Sequence, residues 1–166
     1  MPAPADSVQM EVKGLMLDPT SNLPIVVLRD TKSKLFLPIW IGVFEANAIA
    51  LRIEGVQSPR PMTHDLMRSF LDDLGAEVQR VLICDLKENT FYAEIHLGFR
   101  QRELTVDSRP SDALALALRT DAPIFVLRTV LEKAQAIDLT ERLSRDERIK
   151  KWLEEVDPAD LGEWEM

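Results

Sequence analysis

The chain repeats one pattern of residues at a fixed spacing, and this spacing constrains the fold more than any other feature. Residues 37–52 (LPIWIGVFEANAIALR) align with residues 104–119 (LTVDSRPSDALALALR), 67 positions later. Turn and helix-end positions match at the same spacing: Asn22 with Asn89, Glu45 with Asp112, and Arg52 with Arg119. A repeat of this kind indicates an internal duplication, because each copy encodes one supersecondary unit. We therefore expect a pseudo-twofold fold.

Each copy has the pattern of three strands followed by a helix. Residues 8–17 alternate between apolar and polar side chains, and the segments LPIVVLR and LFLPIWI follow after turn-forming residues. These segments predict an antiparallel meander, which leads into a helix from about Val43 to Glu54 that ends at Gly55. In the second copy the corresponding helix is expected from about Asp112 to Arg119, with Ser111 as its cap.

Both repeat helices are rich in alanine and leucine and are apolar almost all the way round. A helix without a polar face is expected to be buried on all sides. The sequence therefore predicts an α+β fold of internally duplicated βββα units, in which antiparallel sheets pack around the central Ala/Leu-rich helices.

One domain is expected over residues 1–137, with repeats at about residues 8–74 and 75–137. A helix over residues 64–74 (HDLMRSFLDDL), capped by Thr63 and stopped at Gly75, would complete the first repeat. Residues 138–166 contain ten acidic and five basic residues, a large part of the net charge of −8. We interpret them as an appended acidic C-terminal helix and tail, which docks on the domain or binds a partner protein.

Composition favours a cytoplasmic protein that does not bind membranes. The single cysteine, Cys84, lies in the apolar segment VLICDL and is expected to be a packed strand residue rather than a nucleophile. The N-terminal segment has no secretory signal pattern, and the longest nearly apolar run, residues 35–44, is too short to span a bilayer. The net charge of −8 argues against tight nonspecific binding of nucleic acid, so RNA or DNA would be bound weakly.

Two short segments have the residue types that phosphate chemistry needs. Residues 60–65 (RPMTHD) and residues 109–112 (RPSD) each place an arginine and a proline before a hydroxyl residue and an acid in the first helical turn. Helix N-termini attract anions, and an arginine adds a forked donor suited to phosphate oxygens. His64 can transfer a proton near neutral pH. Carboxylates such as those of Asp65, Asp112 and Glu45 are ligands that Mg²⁺ or Mn²⁺ prefers.

A structural role for the same residues stays open at this point. An acid in the first turn stabilises any helix through its dipole, and proline is common at helix starts. His96, in the alternating segment FYAEIHL, is expected to face solvent rather than to bind a ligand. The sequence has no Gly-rich phosphate loop, no HExxH motif and no Cys/His cluster, so no organic cofactor is expected.

Three motifs in order resemble the bifunctional nuclease domain family, which was long a domain of unknown function. They are PIWIG at residues 38–42, RPMTHDLM at residues 60–67 and RPSDALALALR at residues 109–119. The resemblance covers roughly residues 8–135. It implies a small α+β nuclease that acts on RNA and DNA.

The resemblance leads to a hypothesis of phosphodiester hydrolysis at the two motifs. The candidate catalytic residues are Arg60, His64, Asp65, Arg109 and Asp112. His64 would activate the nucleophile or protonate the leaving group, and the two arginines would stabilise charge on the phosphoryl oxygens. Asp65 and Asp112, with Glu45, would hold Mg²⁺ or Mn²⁺.

Two alternatives and one assembly question accompany this hypothesis. In the first alternative the chain is a non-enzymatic binding or regulatory module, its paired motifs serve as helix caps, and its acidic tail binds a protein partner. In the second it binds a small anionic ligand. The edge strands of the expected sheets are compatible with a homodimer.

Overall fold

The computed structural model describes residues 2–136, which form a seven-stranded sheet and four helices, so the predicted α+β class is confirmed. The elements are β1 (Ser7–Leu17), β2 (Pro24–Asp30), β3 (Phe36–Trp40), α1 (Val43–Ile53), α2 (Thr63–Leu74), β4 (Glu77–Lys87), β5 (Thr90–Phe99), β6 (Arg102–Ser108), α3 (Pro110–Thr120), β7 (Ile124–Leu127) and α4 (Arg128–Ala136). The C-terminal helix and tail predicted for residues 138–166 lie outside the described residues. No helix within residues 2–136 has the length and apolar character needed to cross a bilayer.

The seven strands are joined in the order β3-β2-β1-β7-β4-β5-β6. Strands β1 to β3 and strands β4 to β6 form two antiparallel meanders. Between them lies β7, which pairs antiparallel with β1 and parallel with β4. The prediction of separate antiparallel sheets is therefore wrong. The segment IFVL of β7 is apolar, and its buried backbone groups need partners on both sides, which the two meanders supply.

The internal duplication stays a prediction, although equivalent turn positions adopt similar backbone conformations. Asn22 and Asn89, which are 67 positions apart, both lie in the left-handed region, with φ of 59° and 61°. Asparagine tolerates this conformation better than most residues. The halves differ after their first helix, because α2 follows α1 directly along the chain whereas β7 separates α3 from α4.

Helix α3 lies at the centre of the molecule. Its residues 113–117 (ALALA) are all buried, and it packs against α1, α2 and the strands β4 and β5. Helix α1 is different, because it buries Ala46, Ile49 and Ala50 but exposes Val43 and Phe44. The expectation of burial on all sides is therefore wrong for α1, whose first turn faces solvent.

Two helices begin earlier than predicted. Met62 and Arg109 occupy the N-cap positions of α2 and α3, so Thr63 and Ser111 lie inside the first turn instead of capping it. With Gly42 as the N-cap of α1, the acidic residues of three first turns all fall at the third helical position; they are Glu45, Asp65 and Asp112. The positive end of each helix dipole stabilises a carboxylate there.

Candidate functional site

Arg109 links the N-termini of α1 and α3. Its Nη1 donates to Glu45 Oε1 at 2.8 Å, and its Nε donates to Asp112 Oδ2 at 2.9 Å. The two hydrogen bonds raise the pKa of Arg109, and the bond to Asp112 has the larger effect. The side chain is nevertheless 64% exposed. A guanidinium has five N–H donors, so Arg109 keeps further donors for a ligand while two carboxylates fix its orientation.

His64 extends this arrangement to α2. Its Nε2 lies 2.9 Å from Asp112 Oδ1, and its side chain is only 9% exposed. Burial alone would raise the pKa of Asp112, but hydrogen bonds with Arg109 and His64 hold it below its ordinary value. Asp112 is therefore an anion with both oxygens engaged. We call the four linked side chains of Glu45, Arg109, Asp112 and His64 the polar chain.

Asp65 and Arg119 form a separate ion pair. Asp65 Oδ1 accepts from Arg119 Nε at 2.6 Å, and its Oδ2 accepts from the Met62 amide at 3.0 Å. Arg119 is 5% exposed and also donates to the carbonyls of Ala115 and Ala48, both at 2.9 Å. The pair thus joins α1, α2 and α3, and its role in the fold was not recognised from the sequence. An arginine within an otherwise apolar helix is the signal that could have revealed it, because a buried guanidinium needs an acid.

Arg60 is the candidate residue that the fold does not bring to the polar chain. It is exposed in the loop between α1 and α2. Within residues 2–136, no hydrogen bond or ion pair links Arg60 to the four residues of the polar chain. The fold therefore brings together Arg109, Asp112, His64 and Glu45, places Asp65 in the adjacent ion pair, and leaves Arg60 apart.

Two other titratable residues lie on strands away from the polar chain. His96 is only 13% exposed and bonds Glu94 Oε2 at 3.0 Å, so the expectation that it faces solvent is wrong. Cys84 on β4 is partly buried, and burial raises the pKa of its thiol. A protonated thiol is a poor nucleophile, which agrees with the structural role expected for Cys84.

A cleft of about 680 Å³ opens beside Arg109 and Glu45. It lies between the turns that follow β1 and β4, and its walls include Trp40 and Phe91. Trp40 is fixed by a hydrogen bond of 2.8 Å from its Nε1 to Asp18 Oδ2. Sequence reasoning missed both aromatic residues, because in strand segments they have the pattern of core residues.

The three predicted metal ligands do not form a cation site in this arrangement. Within residues 2–136 there is no group of three His, Cys, Asp or Glu side chains placed to hold a metal ion. Each carboxylate is already paired with a guanidinium, since Arg109 bonds Glu45 and Asp112 while Arg119 bonds Asp65. A cation would have to displace an arginine, so a metal role for these residues stays a prediction.

The Asp65–Arg119 pair is expected to make stability depend on pH in the acid range. Burial alone would raise the pKa of Asp65, but the Met62 amide and Arg119 lower it below its ordinary value of 3.8. As the pH falls, the Asp65 carboxylate is therefore protonated at a higher pH in the unfolded state than in the folded state. The pair's contribution is present above pH 3.8 and is lost as the pH falls through the lower pKa of the folded state.

This pH dependence is measured by urea unfolding of the wild type and Asp65→Asn, at about pH 6 and about pH 2.5. The difference between their free energies of unfolding is expected to shrink at the lower pH. A difference that stays constant would contradict the assignment.

The known proteins that this chain resembles include members of one named family. The sequence model of the bifunctional nuclease domain matches residues 26–138. An uncharacterized protein of Mycobacterium tuberculosis is 39% identical over 162 residues, which cover 92% of this chain and 97% of the relative. Bifunctional nuclease 2 of Oryza sativa subsp. japonica is 30% identical over 122 residues, 71% of this chain and 38% of the relative. Bifunctional nuclease 2 of Arabidopsis thaliana is 29% identical over 105 residues, 61% of this chain and 32% of the relative. The chain thus matches less than two fifths of each plant protein.

Proposed function

The chain belongs to the bifunctional nuclease domain family, and on this premise we propose that it hydrolyses phosphodiester bonds of RNA, DNA or both. The observation that carries the proposal is Arg109, an exposed guanidinium fixed by Glu45 and Asp112 at the edge of the cleft. The family model matches residues 26–138, which include these positions, and the plant relatives are named bifunctional nucleases.

In this proposal Arg109 binds and stabilises the phosphoryl oxygens. Its orientation is set before substrate arrives, which is the condition under which a donor stabilises developing negative charge most effectively. The two carboxylates that hold it also offset its charge, so binding of the ground-state phosphate is weak. This agrees with the acidic net charge of −8.

Glu45 is the proposed general base. It lines the cleft with Arg109, whereas Asp112 and His64 are not among the residues that form the wall. Glu45 would take a proton from the attacking water as the new P–O bond forms, and the leaving oxygen would take a proton from solvent. Asp112 and His64 would act as positioning residues, because they hold Arg109 without facing the cleft.

Whether hydrolysis needs a divalent cation is a separate question, which is tested by experiment. The carboxylates of Glu45, Asp65 and Asp112 do not fit a shared cation site while both arginines hold them. We therefore assign no step of the reaction to a metal. Rates with Mg²⁺, with Mn²⁺ and with EDTA will decide whether the reaction needs one.

Glu45→Gln is expected to lower kcat for cleavage of single-stranded RNA by about 100-fold. Glutamine keeps an oxygen for the hydrogen bond from Arg109 Nη1 but cannot accept a proton from water at neutral pH. The matched control is Glu54→Gln, which changes the exposed residue at the C-terminal end of α1. Equal rates for the wild type and Glu45→Gln would point to a contaminating nuclease or to a different base.

A non-enzymatic binding module is the second candidate, and one observation favours it. Helix α2 exposes three apolar side chains at a spacing of four residues: Leu66, Phe70 and Leu74. Such a stripe can pack against another protein or a second copy. In this alternative the polar chain only caps helices, and the acidic segment of residues 138–166 contributes to partner binding. Absence of cleavage together with a concentration-dependent dimer in light scattering would favour it.

A further inference from the structure

We infer that the cleft is a subsite for one unpaired nucleobase of the substrate strand, which stacks on Trp40 and Phe91. The inference rests on the proposed nuclease function, because the strand is the proposed substrate. It goes further in assigning a second part of the site, next to Arg109, and in requiring that the base be unpaired.

The first support is the fixed position of Trp40. The bond from its Nε1 to Asp18 Oδ2, 2.8 Å long, holds one edge of the indole ring against the turn after β1. A ring held by its edge loses little further freedom when a base stacks on its face. Phe91, at the start of β5, is a second aromatic residue that lines the cleft.

The second support is the match between the cleft and the parts of a nucleotide. At about 680 Å³ the cleft has the size of a small-molecule site. Its apolar wall suits the face of a base. Residues with hydroxyl or amide groups, which suit the polar edge of a base, also line the cleft; they are Ser21, Asn89, Thr90 and Ser111. Arg109 lies at the same cleft for the adjoining phosphate.

The third support is charge. A protein that binds duplex DNA tightly needs many Lys and Arg contacts to phosphate. A chain with a net charge of −8 is poorly suited to supply them. Stacking of bases on aromatic side chains supplies affinity without such contacts. A paired base cannot enter the cleft until it is extruded from the duplex, at a cost in free energy. Single strands are therefore the preferred substrate.

The test is a fluorescence titration with Trp40 as the only tryptophan. The full chain carries Trp152→Phe and Trp164→Phe, and EDTA is present. Two probes are compared: a single-stranded oligothymidylate of six nucleotides and an abasic strand with the same number of phosphates. Six nucleotides are about the length that one single-strand binding site covers. The thymidine strand is expected to quench Trp40, and the abasic strand to bind about 5- to 100-fold more weakly. Equal affinity for both strands, or saturation without quenching, would overturn the inference.

Variants keep the test valid if one of them fails to fold. Anisotropy of a labelled thymidine strand is expected to show weaker binding to Trp40→Leu and to Phe91→Leu. The loss should be smaller for Trp40→Phe, which keeps an aromatic face but lacks the bond to Asp18. Phe70→Leu is the matched control, because Phe70 is exposed on α2 and not part of the cleft wall. Unchanged affinity in folded Phe91→Leu and Trp40→Leu would overturn the inference.

Failure of the base subsite and failure of the nuclease proposal give different results. If the thymidine strand quenches Trp40 but magnesium or manganese allows no cleavage of it or of RNA, the subsite stands and the nuclease proposal fails. If wild type and Phe91→Leu cleave RNA with the same KM and do not discriminate against abasic strands, the nuclease proposal stands and the subsite fails.

Discussion

Arg109→Ala is expected to lower kcat for hydrolysis of single-stranded RNA by between about 100-fold and 1,000-fold, the loss typical of a removed transition-state donor. The reason is that Arg109 is fixed by Glu45 and Asp112 yet remains 64% exposed at the cleft. Its removal deprives the phosphoryl oxygens of their charged donor. The free energy of unfolding should change little, because the guanidinium is exposed in both of its ion pairs and each such pair contributes only about 1 kcal/mol or less.

Two further variants make this result specific to Arg109. Arg109→Lys should recover only part of the rate, because a single ammonium cannot reproduce the forked bonds to two carboxylates. Arg102→Ala, on the exposed edge strand β6, removes the same charge elsewhere and should leave kcat unchanged. If Arg109→Ala hydrolyses RNA at the wild-type rate, Arg109 has no role in the reaction.

Arg119→Met is expected to reduce the free energy of unfolding by about 3 kcal/mol. The guanidinium is 5% exposed and donates to Asp65 and to the carbonyls of Ala48 and Ala115, so its removal breaks bonds that join three helices. Methionine fills a similar volume, so the loss reports on the hydrogen bonds rather than on a cavity. Urea unfolding followed by circular dichroism measures it.

The matched control is Arg52→Met at the position 67 residues earlier. Arg52 is exposed and donates through Nε to the Leu118 carbonyl at 3.0 Å. Its replacement should cost about 0.5 kcal/mol or less, as is usual for surface substitutions. Equal losses for Arg119→Met and Arg52→Met would contradict the central structural role of Arg119.

Local sequence patterns predicted the two meanders and the helices α1, α2 and α3, but not the way in which the strands assemble. Alternation and turn residues were enough for the two meanders, because these signals act within a few residues. The position of β7 was not predictable in this way, since a short apolar segment does not specify its neighbours. The helix starts were misplaced by up to two residues because Met62 and Arg109, not hydroxyl residues, are the caps.

The candidate site, like the fold, was predicted only where the signal lies within a short segment of sequence. Arg109, Asp112 and His64 were found because arginine, acid and histidine next to helix starts have a recognisable chemistry. The cleft was not found, because Trp40 and Phe91 come together only when the two meanders share one sheet. Asp65 was assigned to the reaction, whereas its contact with Arg119 depends on α3 lying beside α2.

The most direct test of the account is the rate at which single-stranded RNA is cleaved by the wild type and by the double variant Glu45→Gln/Arg109→Ala, purified in the same way. We predict that the double variant is slower by at least about 100-fold, with an unchanged circular dichroism spectrum. Equal rates for the two proteins would mean that phosphodiester bonds are not hydrolysed at this cleft.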